Sequence, residues 1–125
     1  MRLTGDFFII RKTNNTENGF SVDLCTNPEH LIYRVHFPEK PITPGVCIIQ
    51  AAGELLECKL NKKINLKSIK NVKFLSVIIP EKEKRIKYTF SNIVEEENGC
   101  KAYVVVSDET TVYAKMSLIY SYVRL

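Results

Sequence analysis

His36 opens a segment, His36-Phe37-Pro38-Glu39-Lys40-Pro41-Ile42-Thr43-Pro44-Gly45-Val46, in which a proline recurs at every third position before a glycine. Proline fixes φ and pushes the residue before it toward extended backbone, so this stretch is a stiff loop holding an imidazole in a defined place. Gly45 lets another group approach the backbone closely, and the residues that follow read as a helix whose first amides have no internal acceptor. An imidazole that moves protons beside amides that can hold a developing negative oxygen makes a candidate acid–base site. Gln50 is the second unusual residue, a strongly polar side chain in an otherwise apolar stretch of the predicted helix. A buried amide needs partners, and a backbone-bonded Gln50 with a loop-capping His36 is the purely structural account of the same residues.

Other reactive side chains are weaker candidates. Cys47 lies three residues before Gln50, but an apolar setting raises a thiol pKa and no base other than His36 is evident, so core packing accounts for it better. His30, in Asn27-Pro28-Glu29-His30, reads as a loop residue. Cys25, Cys47, Cys58 and Cys100 contain no C-x-x-C pair and share the chain with only His30 and His36, which argues against a structural zinc site. They read as free thiols of a reducing cytoplasm.

The elements that must position these residues fit within one domain over residues 1–125, with 45% hydrophobic and 26% charged residues. The apolar stretch near the N-terminus is closed by Arg11 and Lys12 and lacks the length and cleavage site of a secretory leader, and no run is long enough to span a membrane. A net charge of +4 is too mild to imply nucleic acid. Its distribution is more telling. Lys59, Lys62, Lys63, Lys67, Lys70 and Lys73 follow one another without an intervening acid, while Glu95, Glu96 and Glu97 form a separate cluster. These are two solvated faces or a strip that steers an acidic partner.

One long helix is predicted, from about Val46 to Leu60, and it is apolar nearly all round for two turns, so it should be buried. The rest alternates with period two. Asp6–Lys12 and Gly19–Leu24 flank an Asn-rich turn; Leu66–Ile79 is a long extended run; Ile86, Tyr88 and Phe90 alternate with polar residues. Cys100, Ala102, Val104 and Val106 share one face, as do Val112, Ala114, Met116, Leu118, Tyr120 and Tyr122. This is an α+β layout, an antiparallel sheet wrapped round one helix. Such a sheet covers the helix on one side only, so a dimer is expected.

The run H-F-P-x-x-P-x-x-P-G-V ahead of a buried helix resembles the signature of the hot-dog-fold 3-hydroxyacyl-acyl carrier protein dehydratases. Ile69–Phe74 and then Val77-Ile78-Ile79-Pro80 are similar to the strand and turn that follow in that family. The resemblance implies a hot-dog fold with sites at a dimer interface, and loss of water from a 3-hydroxyacyl chain to give a trans-2-enoyl thioester in fatty acid or polyene-type lipid synthesis. It implies no cofactor of the enzyme's own, the substrate riding on the phosphopantetheine of an acyl carrier protein. His36 corresponds to the family base, and a backbone amide of Gly45 or Val46 polarises the thioester carbonyl. Phe37 and Pro44 complete the expected substrate-binding residues.

The family's helix carboxylate corresponds to Gln50, and an amide holds a hydroxyl by hydrogen bonds but supplies no proton at neutral pH. Two family glycines are also replaced, by Val35 and Glu39. Glu54, one turn beyond Gln50, is a candidate substitute carboxylate. The run Pro44-Gly45-Val46-Cys47-Ile48-Ile49-Gln50 is similar to that of a branch with Gln here, associated with aryl polyene pathways. Acyl carrier proteins are acidic, so Lys62, Lys63, Lys67, Lys84 and Arg85, with Lys82, are expected to dock the carrier. The alternative is a catalytically impaired hot-dog subunit that binds acyl chains or completes a heterodimer with an active paralogue. Thioester hydrolysis lacks a helix carboxylate at the matching position.

Overall fold

The computed structural model describes residues 2–35, 39–82 and 84–124. The chain runs β1 (Phe8–Thr16), β2 (Gly19–Thr26), α1 (Leu31–Val35), α2 (Gly45–Leu60), β3 (Ile64–Phe74), β4 (Arg85–Glu95), β5 (Gly99–Ser107) and β6 (Val112–Tyr122). The strands form one 6-stranded antiparallel sheet in the order β1-β2-β4-β5-β6-β3. Each middle strand alternates as its sequence does. Ile86, Tyr88 and Phe90 of β4, Cys100, Ala102, Val104 and Val106 of β5, and Ala114, Met116, Leu118 and Tyr120 of β6 are all buried. With α2 laid across this face, the arrangement is the hot-dog fold.

The helix begins at Pro44, whose extended backbone (φ −62, ψ 142) cannot continue a helix upstream, and ends at Asn61 in the left-handed region (φ 54), a conformation asparagine tolerates. Cys47, Ile48, Ala51, Ala52, Leu55 and Leu56 share the core with the sheet. The small Ala51–Ala52 pair faces that core, and the buried Tyr88 hydroxyl donates to the Ile48 carbonyl at 2.9 Å, tying helix to sheet. At the other end, Glu57 accepts the Ile64 amide at 3.0 Å and sets the turn into β3.

As expected of a sheet that covers only one side, the apolar helix is not buried all round within one protomer. The sheet covers one side; Val46 is 74% exposed and Gln50 is exposed too. Beside that open face lies β3, an edge strand with Leu66, Ile69 and Phe74 also exposed. Its apolar residues Ile64, Leu66, Ile69, Val72 and Phe74 do not keep period two. Two bulges absorb the difference: the register steps over Lys67 between Leu66↔Tyr120 and Ser68↔Ile119, and over Lys70 between Ile69↔Leu118 and Asn71↔Ser117. Each extra lysine resets the pleat, so all the apolar residues share the face of the buried β6 side chains.

Other boundaries differ for local reasons. β1 starts at Phe8, because Leu3 folds back and its carbonyl accepts from the amides of Phe7 and Phe8 at 2.9 and 3.0 Å. The hairpin turn shrinks to Glu17–Asn18, since Asn14 and Asn15 pair across to Ser21 and Phe20. The extended run ends at Phe74; beyond it Ile78 is fully buried and its carbonyl accepts the Thr43 amide at 2.9 Å. In β6, Val112 turns outward and Tyr113 inward, after the register break at Val106/Ser107. The short α1 is too brief to show a helical period.

Candidate active site

The start of α2 is an open donor site. Pro44 supplies no side-chain cap, its carbonyl takes the Cys47 and Ile48 amides at 3.0 and 3.2 Å, and the helix leaves the amides of Gly45 and Val46 without an internal acceptor. The loop leading in is pinned from both sides. Thr43, buried, bonds through its amide to Ile78 and through its hydroxyl to the Tyr33 hydroxyl at 2.8 Å. Burial pushes the Tyr33 phenol up to about 12, so it stays a neutral hydrogen-bonding group. Tyr33 also stacks on Phe7 with ring centroids 4.8 Å apart. A Cβ on Gly45 would sit 2.8 Å from the tip of the half-exposed Phe74 ring, which lies over the helix start and would have to give way, a contact the sequence did not disclose.

Val46, Ile49, Gln50 and Gly53 of α2 and Leu66 and Ile69 of β3 line an open, largely apolar cavity of about 630 Å³. Tyr120 also lines it; its hydroxyl is buried with no hydrogen-bond partner among the described residues. Val46 and Gln50 stand four residues apart on the same helix face, so Gln50 is the polar group next in line from the free amides. Val46 and Gln50 thus line the cavity, and Pro44 and Gly45 adjoin Val46 at the helix start. His36 and Phe37 lie outside the described residues.

Gln50 does not sit alone on this face. Its Nε2 donates to Glu54 Oε2 at 2.9 Å. Glu54 is only 7% exposed, and its carboxylate also accepts from the Leu3 amide (2.9 and 2.8 Å), the Thr4 amide (2.8 Å) and the Thr4 hydroxyl (2.8 Å). Burial alone would push this carboxyl up, but the Thr4 and Leu3 amides, the Gln50 amide and the Thr4 hydroxyl together bring it below the usual glutamate value. A carboxylate so fully occupied is held ionised and is a poor proton donor, which corrects its candidacy as a substitute for the family carboxylate. Sequence reasoning found the i,i+4 spacing of Gln50 and Glu54 but had no signal for the clasp by residues 3 and 4.

The other candidates fall into structural places. Cys47 is buried and desolvation raises its thiol pKa, as core packing requires. All four cysteines are free. His30 caps α1, its Nδ1 accepting the Ile32 amide at 3.1 Å while Nε2 lies 3.2 Å from Asp6. Among the described residues, no cluster of His, Cys, Asp and Glu is arranged to hold a metal ion. Among the same residues, no helix is long and apolar enough to cross a membrane.

The basic residues do not make one strip. Lys62 and Lys63 follow the C-terminus of α2, about 24 Å of helix from Gly45. There Lys62 pairs with Glu95 at 3.1 Å, and Lys67 lines a cleft with Glu96 and Glu97, so the acidic cluster is the neighbour of these lysines and not a separate face. Lys84 and Arg85 lie at the opposite end of the sheet. Lys84 pairs with Asp108 at 3.2 Å and lies over the Tyr113 ring, whose residue accepts the Leu75 amide just beyond Phe74. Of the two groups, Lys84 and Arg85 are at the end where α2 begins.

Comparison with known proteins follows this geometry. The sequence pattern of the ApeI-like family, described as ApeI dehydratase, matches residues 12–117. A 3-hydroxyacyl-[acyl-carrier-protein] dehydratase, FabZ, of Clostridium acetobutylicum is 27% identical over 95 residues, covering 70% of this chain and 67% of the relative. Among solved structures, the dehydratase heterocomplex ApeI:P from Xenorhabdus doucetiae superposes with a TM-score of 0.72 at 17% identity, over 91% of this chain and 97% of that one. A mutant thioesterase from Pseudomonas aeruginosa superposes with a TM-score of 0.65 at 12% identity, over 94% and 82%. At these identities the structural likeness speaks for the fold.

Proposed function

Because the chain belongs to the ApeI-like dehydratase family, we propose that it removes water from a 3-hydroxyacyl thioester presented by an acyl carrier protein, giving the trans-2-enoyl thioester. The observation that carries this reading is the pairing of uncapped amides at Gly45 and Val46 with Gln50 one turn along the same helix face, at the edge of an apolar cavity. The thioester carbonyl accepts from the amides, where negative charge grows as the proton next to it leaves. His36 takes that proton. The electron pair of the broken C–H bond forms the double bond as the C3–O bond breaks, and the departing hydroxyl takes the proton back from the imidazolium to leave as water. Gln50 holds that hydroxyl by hydrogen bonding without supplying the proton.

The exposed apolar side chains of Val46, Leu66, Ile69 and Phe74 favour a second hot-dog chain over this face, either another copy or a paralogue. For the carrier, Lys82, Lys84 and Arg85 are the favoured contacts because they share the end of the sheet with the helix start. The deciding experiment is dehydration of a 3-hydroxyacyl carrier protein by wild type and His36→Ala. A loss of about a hundredfold or more supports His36 as base. Equal rates overturn that assignment.

A second reading has its own observation. Gln50 is tied to an ionised carboxylate and no proton donor takes the family position. This favours a subunit that binds the acyl chain and leaves catalysis to a paralogous partner. Activity that appears only when a paralogue is added, and survives His36→Ala in this chain, supports it.

A further inference from the structure

The cavity beside α2 changes character along the helix. As far as Gly53 its lining is Val46, Ile49 and Gly53 of α2 with Leu66 and Ile69 of β3, apolar apart from Gln50. Beyond Gly53 charged and polar groups join it: Glu54, Glu57, Asn65 and Arg2, whose guanidinium lies 3.8 Å from a carboxylate oxygen of each glutamate. Gly53 stands at the change, and the fold gives no reason for a glycine there. It sits inside the helix, where glycine is a poor former, and its φ is not positive. An added Cβ would find its nearest neighbours on the Tyr120 ring, at 3.5 Å, an ordinary contact. The bare backbone at position 53 therefore leaves room in the cavity without serving the packing of the protomer.

We infer that Gly53 sets the length of acyl chain the site accepts, keeping the apolar part of the cavity open as far as its charged end, and that the substrates are medium-length chains of about eight to twelve carbons. This rests on the dehydratase reading, which puts the thioester carbonyl at the Gly45 and Val46 amides. Gly53 lies eight residues beyond Gly45, about 12 Å along the helix. An extended chain advances about 3.5 Å for every three bonds, so about ten bonds reach Gly53. Carbons short of that point exchange water for apolar walls, a gain of about fourfold in affinity for each methylene. Carbons past it meet Arg2 and Glu57, whose desolvation cancels the gain. A side chain at position 53 would take the room of the last methylenes and move the limit toward the thioester.

The test is a series of carrier-bound 3-hydroxybutanoyl, 3-hydroxydecanoyl and 3-hydroxyhexadecanoyl substrates. For wild type, kcat/KM should rise steeply from butanoyl to decanoyl and then level off or fall. Equal values for butanoyl and decanoyl, or a rise that continues as steeply to hexadecanoyl, would overturn the inference. Gly53→Leu should lower the decanoyl-to-butanoyl ratio of kcat/KM at least about thirtyfold, and Gly53→Ala about fourfold, one methyl displacing one methylene. The alanine variant serves if the leucine variant does not fold. Losses in equal proportion at every length would make Gly53 a packing residue, and an unchanged ratio would place the limit elsewhere; either overturns the inference.

A readout without turnover separates this from the dehydratase reading. Carrier protein bearing a saturated butanoyl or decanoyl thioester, which has no 3-hydroxyl to lose, is titrated against wild type and the position-53 variants, and the ratio of the two Kd values should shift as the kinetic ratio does. That shift in a protein that dehydrates none of the substrates would sink the proposed function and leave the length limit intact. Dehydration with both ratios untouched by position 53 would do the reverse.

Discussion

Replacing Gln50 by glutamate sets a second carboxyl where the amide nitrogen lay 2.9 Å from Glu54. Two unit charges at that distance repel by about 1.4 kcal/mol with the screening of bulk water and by about 6 kcal/mol at an effective dielectric of about 20. Position 50 is exposed, so the low end governs, and relaxation keeps the cost near about 2 kcal/mol. Protonated, the new carboxyl donates to Glu54 as the amide did, and the cost vanishes. The sign follows from linkage: the new group's folded pKa lies above its unfolded value of about 4.3, so the penalty is absent below that pH and grows as pH rises, levelling off above the folded pKa. Thermal melts of Gln50→Glu and wild type should therefore nearly coincide near pH 4.5 and differ by roughly 6 to 10 °C at pH 7.5. The shared proton also equips the variant with an acid at the family position, so dehydration should rise. A Tm offset equal at both pH values, or larger in acid, would refute the paired geometry.

Three further outcomes are expected. Tyr88→Phe strips the buried hydroxyl from the Ile48 carbonyl and should cost about 1 to 2 kcal/mol in urea denaturation, while a neutral result would show that this carbonyl finds another donor. Gly53→Ala meets Tyr120 only at 3.5 Å, an ordinary contact, and should stabilise the isolated protomer by about 0.5 to 1 kcal/mol through helix propensity. Destabilisation at concentrations where the protein self-associates would mean another helix rests there. Ile69→Asp, on the exposed face of β3, should abolish self-association in sedimentation without unfolding the chain, and an unchanged assembly would place the interface elsewhere.

The middle of the sheet was legible because β4, β5 and β6 each bury one face, which imposes strict alternation on residues such as Val104 and Met116. The helix start was legible from Pro44 and Gly45. The other side of α2 was read from the same apolar residues as a face the sheet leaves uncovered, and Val46 does stand open there in the single chain. The separation of the lysines from the acidic cluster was misread, since adjacency along residues 59–73 says nothing of the turn at Asn61 or of Glu95 arriving from β4. The clasp of Leu3 and Thr4 on Glu54 uses mainly backbone amides, which leave no trace in side-chain identity. Phe74 over Gly45 joins positions whose proximity only the folded sheet determines.

The two bulges of β3 amount to silent insertions in the strand's reading frame. Dropping Lys67 or its neighbour Ser68 leaves a single residue between Leu66 and Ile69 either way, so Leu66 stays opposite Tyr120 and Ile69 opposite Leu118, and the same holds for Lys70 and Asn71 between Ile69 and Val72. The strand thus carries one spare residue at each bulge, and each time the residue left unpaired is a lysine. What they provide lies outside the fold: without both, the edge would run straight and lose two positive charges, a ready template for unwanted strand addition. Deletion of both should leave a protein that folds as before but precipitates more readily as its concentration rises.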